Sequence, residues 1–232
     1  MRQPYNDAVA PPRRSGAATL LGRALALQAD GDTAAAHALL QRAACLGLAA
    51  AQYQLGLCYR HGRGVQADAA QAIGWFRAAA AQGHGRACCN LGRMLETGAA
   101  GEHDAEAAAA CYRQAAEGGV ASAAYRLGLM YRDGRGVAAD AAQANRWLRR
   151  AAAGGLAAAQ YALGRFCESA LDAGDDALYW YGEAAAQGVR PAQDALARLC
   201  RAGLGVPKGR AGALGRWMQR AADGASLPFD HV

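Results

Sequence analysis

The fourteen residues from Leu55 to Asp68, LGLCYRHGRGVQAD, return 72 positions later as LGLMYRDGRGVAAD, Leu127 to Asp140, with eleven of them unchanged. A catalytic motif has no reason to occur twice in one chain; a structural unit does. The Leu-Gly pair recurs at Leu21-Gly22, Leu55-Gly56, Leu91-Gly92, Leu127-Gly128 and Leu163-Gly164, then as Leu196-Ala197. The spacings are 34, 36, 36, 36 and 33 residues. A second landmark, an apolar residue eight before an Ala-Ala-x-x-Gly glycine, falls at Leu39, Trp75, Cys111, Trp147 and Trp180. Asp32, Asp68, Asp104 and Asp140 each stand seven residues before theirs. A period in this range marks a repeat array and outranks any local motif.

Each unit divides in the same way. In AAAQYQLGLCYRHG, Leu55 and Tyr59 share one helical face, and Gly62 is placed to end the helix. Gly-Arg-Gly-Val then supplies two glycines, at least one expected at positive φ, with Val65 plugging the turn. Asp68 is placed to cap a second helix, whose Ala72, Trp75 and Ala79 are expected to form its apolar stripe. Gly83 ends it. Two antiparallel helices of about 12–15 residues result, and six such pairs fit the chain. Gly56 lies inside its helix, where glycine costs about 1 kcal/mol relative to alanine. The same cost at Gly22, Gly92, Gly128 and Gly164 implies that no Cβ fits where the partner helix crosses. A lone pair cannot bury both its faces, so the pairs must stack.

Composition agrees with helix throughout. The chain is 53% hydrophobic with three Phe and four Trp, much of the rest being alanine, and strand-forming runs of Val, Ile and Thr are absent. Net charge is +6, with Lys208 the one lysine, which permits acidic partners without demanding them. The seven cysteines include no Cys-x-x-Cys and no zinc spacing, so small, buried, reduced side chains are expected. The five histidines form no metal pattern; three fall at expected turns, and solvated positions without a ligand role are expected. GHGRAC at Gly83–Cys88 lacks the strand that a nucleotide-binding glycine loop needs. Cys89, near Arg86 and Arg93, is the one thiol with cations placed to activate it. No catalytic constellation emerges, and neither an enzyme nor a cofactor is expected. The N-terminal stretch has no apolar leader segment and no lipidation signature, and no apolar run reaches about 18 residues. A cytoplasmic protein without membrane contact is the expectation.

The order Leu-Gly-x-x-Tyr, Gly-x-Gly-Val, Asp, Ala-x-x-Trp, Ala-Ala-x-x-Gly resembles the Sel1-like repeat, a relative of the tetratricopeptide repeat, over roughly residues 17–225. Two turns depart from the pattern: TGAAGEH and ESALDAGDD replace Gly-x-Gly-Val. The resemblance implies an all-α fold, a right-handed α-α superhelix (solenoid) of about six antiparallel helix pairs. It would fill residues 16–225 as one domain between a flexible arm, 1–15, and a tail, 226–232. It also implies a non-enzymatic adaptor, scaffold or regulator that binds a protein or peptide. A cysteine-rich branch with paired cysteines eight residues apart has reported β-lactam-related, hydrolase-type activity. No two cysteines here have that separation, so this activity is not carried over. A neutralising, immunity-type partner of a bacterial toxin or effector is the alternative within the binding class.

Such solenoids line a concave groove with the first helix of each pair. The expected groove residues are Tyr53, Leu57 and Arg60; Cys89 and Arg93; Tyr125, Leu129 and Arg132; Tyr161 and Arg165; Arg198 and Arg201. Tyr and Arg are enriched at binding hot spots, and Arg can clamp carboxylates through two bonds. The same tyrosines can instead serve repeat packing. An extended or helical peptide with acidic groups is the expected ligand, with Arg93, Arg132 and Arg165 as central clamps. Glu96, Asp133 and Glu168 in the same rows argue against nucleic acid. Exposed apolar ends allow a homo-oligomer.

Overall fold

The computed structural model describes residues 14–201 apart from Glu102 and residues 170–173. Most of the expected arm, the expected tail and the second helix of the sixth pair lie outside these residues, as does the side chain of Arg201. The chain forms two compact units, one ending at Asp104 and the other beginning at Ala105.

The first unit contains α1 (Arg14–Ala29), α2 (Thr33–Cys45), α3 (Ala49–His61), α4 (Ala69–Ala81) and α5 (Gly85–Thr97), followed by a 3-10 turn, Ala99–Gly101. The second contains α6 (Ala105–Glu117), α7 (Ala121–Asp133), α8 (Ala141–Ala153), α9 (Ala157–Glu168), α10 (Gly174–Ala186) and α11 (Arg190–Arg201). No strand occurs among the described residues. In each unit every helix packs on the next in sequence, as stacked hairpins require. No described helix is long and apolar enough to cross a membrane.

The aspartates cap as expected. Side chains of Asp32, Asp68 and Asp140 accept from the backbone N–H groups of Ala35, Gln71 and Gln143 at 3.0, 2.9 and 3.0 Å. Each such cap contributes about 1 kcal/mol. Asp68 and Asp140 also donate their own N–H to the carbonyls of Tyr59 and Tyr131, both at 2.9 Å, which closes the turn. Gly62 and Gly134 end α3 and α7 in the left-handed region. Val65 packs against the core of the first unit.

The second glycine of Gly-x-Gly-Val has a stronger reason to exist than backbone freedom. At Gly64 (φ +71°) an added Cβ would fall on the carbonyl of Thr33, and at Gly136 (φ +65°) on that of Ala105. Thr33 and Ala105 open α2 and α6, so each turn presses onto the start of the second helix of the preceding repeat. The departing turn after α5 follows the same path. Gly98 caps α5 in the left-handed region, Ala100 takes φ 64° where Gly64 and Gly136 stand elsewhere, and Asp104 N–H closes onto Leu95 O at 3.1 Å.

Helical glycines mark crossings at three of the expected places. An added Cβ would come within 2.7 Å of Phe76 at Gly56, 2.9 Å of Leu148 at Gly128 and 2.6 Å of Tyr181 at Gly164. Gly22 departs from the expectation: no described atom lies within 4 Å of the position. Ala72 and Ala79 of the expected apolar stripe are fully buried. Trp75 is only half-buried, while Phe76 after it is fully buried, as are Leu40, Tyr112, Leu148 and Tyr181 at the same place in their repeats. One residue later on a helix is a rotation of about 100°, enough to turn Trp75 to the shoulder of the contact, whereas Trp147 at the equivalent place is buried. Burial of each such Leu, Phe or Tyr contributes about 1.5–3 kcal/mol, with alanines such as Ala43, Ala51, Ala79 and Ala123 letting the backbones approach.

Glutamine ties repeat to repeat. Gln52 and Gln160 are the buried polar residues of the described chain. Gln52 Nε2 donates to Ala44 O at 3.3 Å, the end of the preceding helix, and its Oε1 accepts from Gln82 at 2.8 Å. Gln160 repeats the arrangement with Ala152 O at 3.3 Å and Gln187 at 2.7 Å. Buried amides are tolerated only when bonded in this way.

Candidate functional site

Consecutive first helices stand side by side within each unit. Arg60 on α3 bonds Asn90 on α5, and Glu168 on α9 pairs with Arg198 on α11, each 30 residues apart. Side chains at one repeat position therefore share a face, as a binding surface built from repeats requires.

In the first unit Tyr53, Leu57, Arg60, Cys89 and Arg93 are all half-buried. Tyr53 stacks on His84, ring centroids 4.7 Å apart, and leans on Phe76 at 6.0 Å. That is packing between repeats, the structural role open to these tyrosines. Arg60 Nη1 and Arg93 Nη2 both donate to Asn90 Oδ1, at 2.6 and 3.1 Å, while Asn90 Nδ2 donates to Arg86 O at 2.9 Å. One amide thus positions two guanidinium groups.

In the second unit Tyr125, Leu129 and Tyr161 are half-buried, and Arg132, Arg165 and Arg198 are exposed. Tyr161 packs on Tyr181 at 5.8 Å. Arg132 is engaged by its own neighbour: Nε and Nη2 bond the two carboxylate oxygens of Asp133 at 2.7 and 3.1 Å. That bond holds the Asp133 carboxyl below the usual carboxylate range. Arg198 pairs with Glu168, whose other oxygen accepts from Tyr181 OH at 2.7 Å. Burial pushes the Glu168 carboxyl up, but the bonds from Tyr181 and Arg198 outweigh it and leave it lowered. Of the three expected central clamps, Arg132 is already satisfied internally. Arg93 and Arg132 belong to separate units.

Two further expectations need correction. His84 is not a solvated loop residue: its Nδ1 accepts from Ala87 N–H at 3.2 Å and caps α5. His37 lies within α2 with its Nε2 buried and unbonded, edge-on to Tyr59. Among the cysteines, Cys58, Cys88 and Cys167 are buried, and burial raises their thiol pKa; Cys45 is exposed.

The repeat recognised in the residues has a name. Six consecutive matches to the Sel1 repeat cover residues 16–48, 49–84, 85–120, 121–156, 157–189 and 190–226. The chain belongs to the Sel1 repeat family. The Sel1 repeat protein of Oxalobacter formigenes superposes with a TM-score of 0.75 at 29% identity, over 88% of this chain and 85% of that one. The protective antigen c5321 of uropathogenic Escherichia coli, which displays an SLR fold, gives a TM-score of 0.78 at 29% identity over 89% of this chain. The match spans only 46% of that antigen's length. The immunity protein Pa5087 of Pseudomonas aeruginosa shares the fold at 22% identity, with a TM-score of 0.51 and coverage of 93% of this chain and 86% of that one. No functionally curated protein matches the sequence. The fold class is thus the all-α helical-repeat solenoid, and Sel1 repeats are in general protein-interaction modules without catalysis.

Within the Sel1 repeat, the residue before the repeat leucine is Gln54, Asn90, Arg126, Ala162 or Ala195. Nothing in the repeat pattern singles out Asn90. Its importance lies in what two neighbouring helices bring to it.

Proposed function

We propose that this chain is a non-enzymatic adaptor or regulator that takes a protein or peptide partner on the face that first helices share within a unit. The observation that carries the reading is the bonding between first helices at 30-residue separation, Arg60 to Asn90 and Arg198 to Glu168. It holds Arg60 and Arg198 in place before a partner arrives, and a surface ordered in advance loses less side-chain entropy on binding. Glu96, Asp133 and Glu168 interleaved in the same rows favour a protein over a nucleic acid, whose phosphates they would repel. The likeness to Pa5087 is one of fold, so a neutralising role is a result the experiment can return rather than the reading favoured here.

The experiment is affinity purification of the tagged chain from its native host with quantitative mass spectrometry. Charge reversal at Arg132, Arg165 and Arg198 in one variant, and at Arg60 and Arg93 in another, accompanies the wild type. The expected result is a reproducibly enriched protein that at least one variant loses by about tenfold or more. Failure of the wild type to enrich any protein overturns the interaction reading. Enrichment unaffected by both variants overturns its placement on the first helices.

A further inference from the structure

We propose that the cleft between the ends of α3 and α5 and the start of α4 is a binding site for a peptide carboxylate flanked by an apolar side chain. This rests on the interaction reading above and assigns it a site. The cleft has a volume of about 550 Å³ and is lined by Arg60, Asp68, Arg93 and Met94, with alanines completing the walls.

The arginines of this cleft differ from two others of the first-helix rows. Arg132 and Arg198 each pair with a carboxylate, Asp133 and Glu168. Arg60 and Arg93 share only a neutral amide oxygen, that of Asn90, and no carboxylate among the described residues pairs with either. An amide acceptor orients a guanidinium without neutralising it. Each fork has five N–H donors, and Asn90 takes one from each. Two half-buried positive charges are thus held together with donors to spare, the arrangement that a carboxylate satisfies through charge-assisted bonds.

The apolar component is local as well. Met94, Ala67, Ala69 and Ala99 line the same space, and methionine adapts to varied apolar shapes. Asp68 also belongs to the lining, its Oδ1 engaged by Gln71 N–H. Its charge disfavours a doubly charged phosphate more than a single carboxylate. The second cleft of similar kind, beside Arg113 and Tyr131, lacks the paired arginines.

The test is selection from a phage-displayed random dodecapeptide library on the immobilised full chain, with Asn90→Asp alongside. The substitution keeps the shape of the side chain and places a carboxylate against both guanidiniums; it gives up the bond from Nδ2 to Arg86 O, which the two new ion pairs offset. The wild type is expected to enrich peptides with Asp or Glu beside an apolar residue, and Asn90→Asp to bind them about tenfold or more weakly without a lower Tm. Arg60→Gln with Arg93→Gln is expected to lose the same peptides. Enrichment without acidic residues, no enrichment over a blank surface, or equal binding by Asn90→Asp would each overturn the assignment. So would displacement of the peptides by inorganic phosphate at the concentration of acetate that displaces them. A cellular partner retained by Asn90→Asp leaves the interaction reading standing and removes this site; the absence of any partner with the wild type removes both.

Discussion

Gly128 on α7 lies so close to Leu148 on α8 that a Cβ added to it would sit 2.9 Å from Leu148 Cγ and 3.2 Å from the Leu148 backbone nitrogen. Flexible side chains can yield at that distance; backbone cannot. Gly128→Ala should therefore destabilise the protein despite alanine's better helix propensity, and Gly128→Leu more strongly, by about 1–3 kcal/mol or above. Gly22→Ala is the control, since no described atom meets its Cβ, and should stabilise by about 0.5–1 kcal/mol. Thermal melting of the three variants decides it: a Gly128→Leu protein with unchanged Tm would mean that the two helices do not cross there.

The turns predict a second pair of opposite signs. Ala100 holds φ 64° with a Cβ, a conformation costing about 1–2 kcal/mol for an L-residue. Ala100→Gly should raise stability by about 1 kcal/mol. Gly136→Ala should lower it by more than that, because its Cβ would meet the carbonyl of Ala105 as well as the unfavourable φ. Urea denaturation of both variants checks the signs, and a destabilised Ala100→Gly would contradict the strain.

What the sequence discloses follows from the range of the interactions concerned. The Asp caps and the glycine stops at Gly62 and Gly134 depend on neighbours three to five residues away, and periodicity locates them directly. The tryptophan landmark shows the limit of periodicity: it identifies the helix but not its exact rotation, so Trp147 is buried while Trp75 is half-buried beside a fully buried Phe76. Asn90 and the Gln52–Gln82 bond join residues 30 apart, and their geometry depends on how two helices lean together. A list of arginines at one repeat position likewise cannot separate Arg132, neutralised by an adjacent aspartate, from Arg60 and Arg93, which share an amide.

The buried glutamines should behave as structural ties. In Gln160→Leu the Ala152 carbonyl loses the donor at 3.3 Å and Gln187 loses its acceptor at 2.7 Å, while a leucine of similar volume fills the space. Neither partner is stranded, because Ala152 O keeps the Gly155 N–H at 3.0 Å and the exposed Gln187 keeps Gly155 O at 3.2 Å. The loss is therefore that of ordinary hydrogen bonds, against some gain from burying the leucine, and a net destabilisation of about 0.5–1.5 kcal/mol is expected. Gln187→Ala, at an exposed position, should cost less. Equal or greater stability of Gln160→Leu would show that the amide is dispensable.

The His84 cap makes stability depend on pH. Burial, then the own-backbone bond in the opposite sense, then the nearby Arg86 set its pKa below the ordinary histidine value near 6.5. The folded protein therefore takes up this proton less readily than the unfolded chain. As pH falls below about 6.5 the unfolded state protonates first, and stability declines until the folded imidazole is protonated too; above that pH the effect is absent. A protonated Nδ1 cannot accept from Ala87 N–H, so the cap, worth about 1 kcal/mol, is lost with it. His37, also lowered by burial, acts in the same direction. Between about pH 7.5 and 5.5 the Tm should fall by a few degrees. Paired carboxylates such as Asp133 and Glu168, held low, keep their charge across this window. His84→Asn retains a capping acceptor that does not titrate, so its Tm should vary less over the same range, with His37→Gln removing much of the rest. A full wild-type slope in His84→Asn would show that the stacked imidazole does not titrate with unfolding.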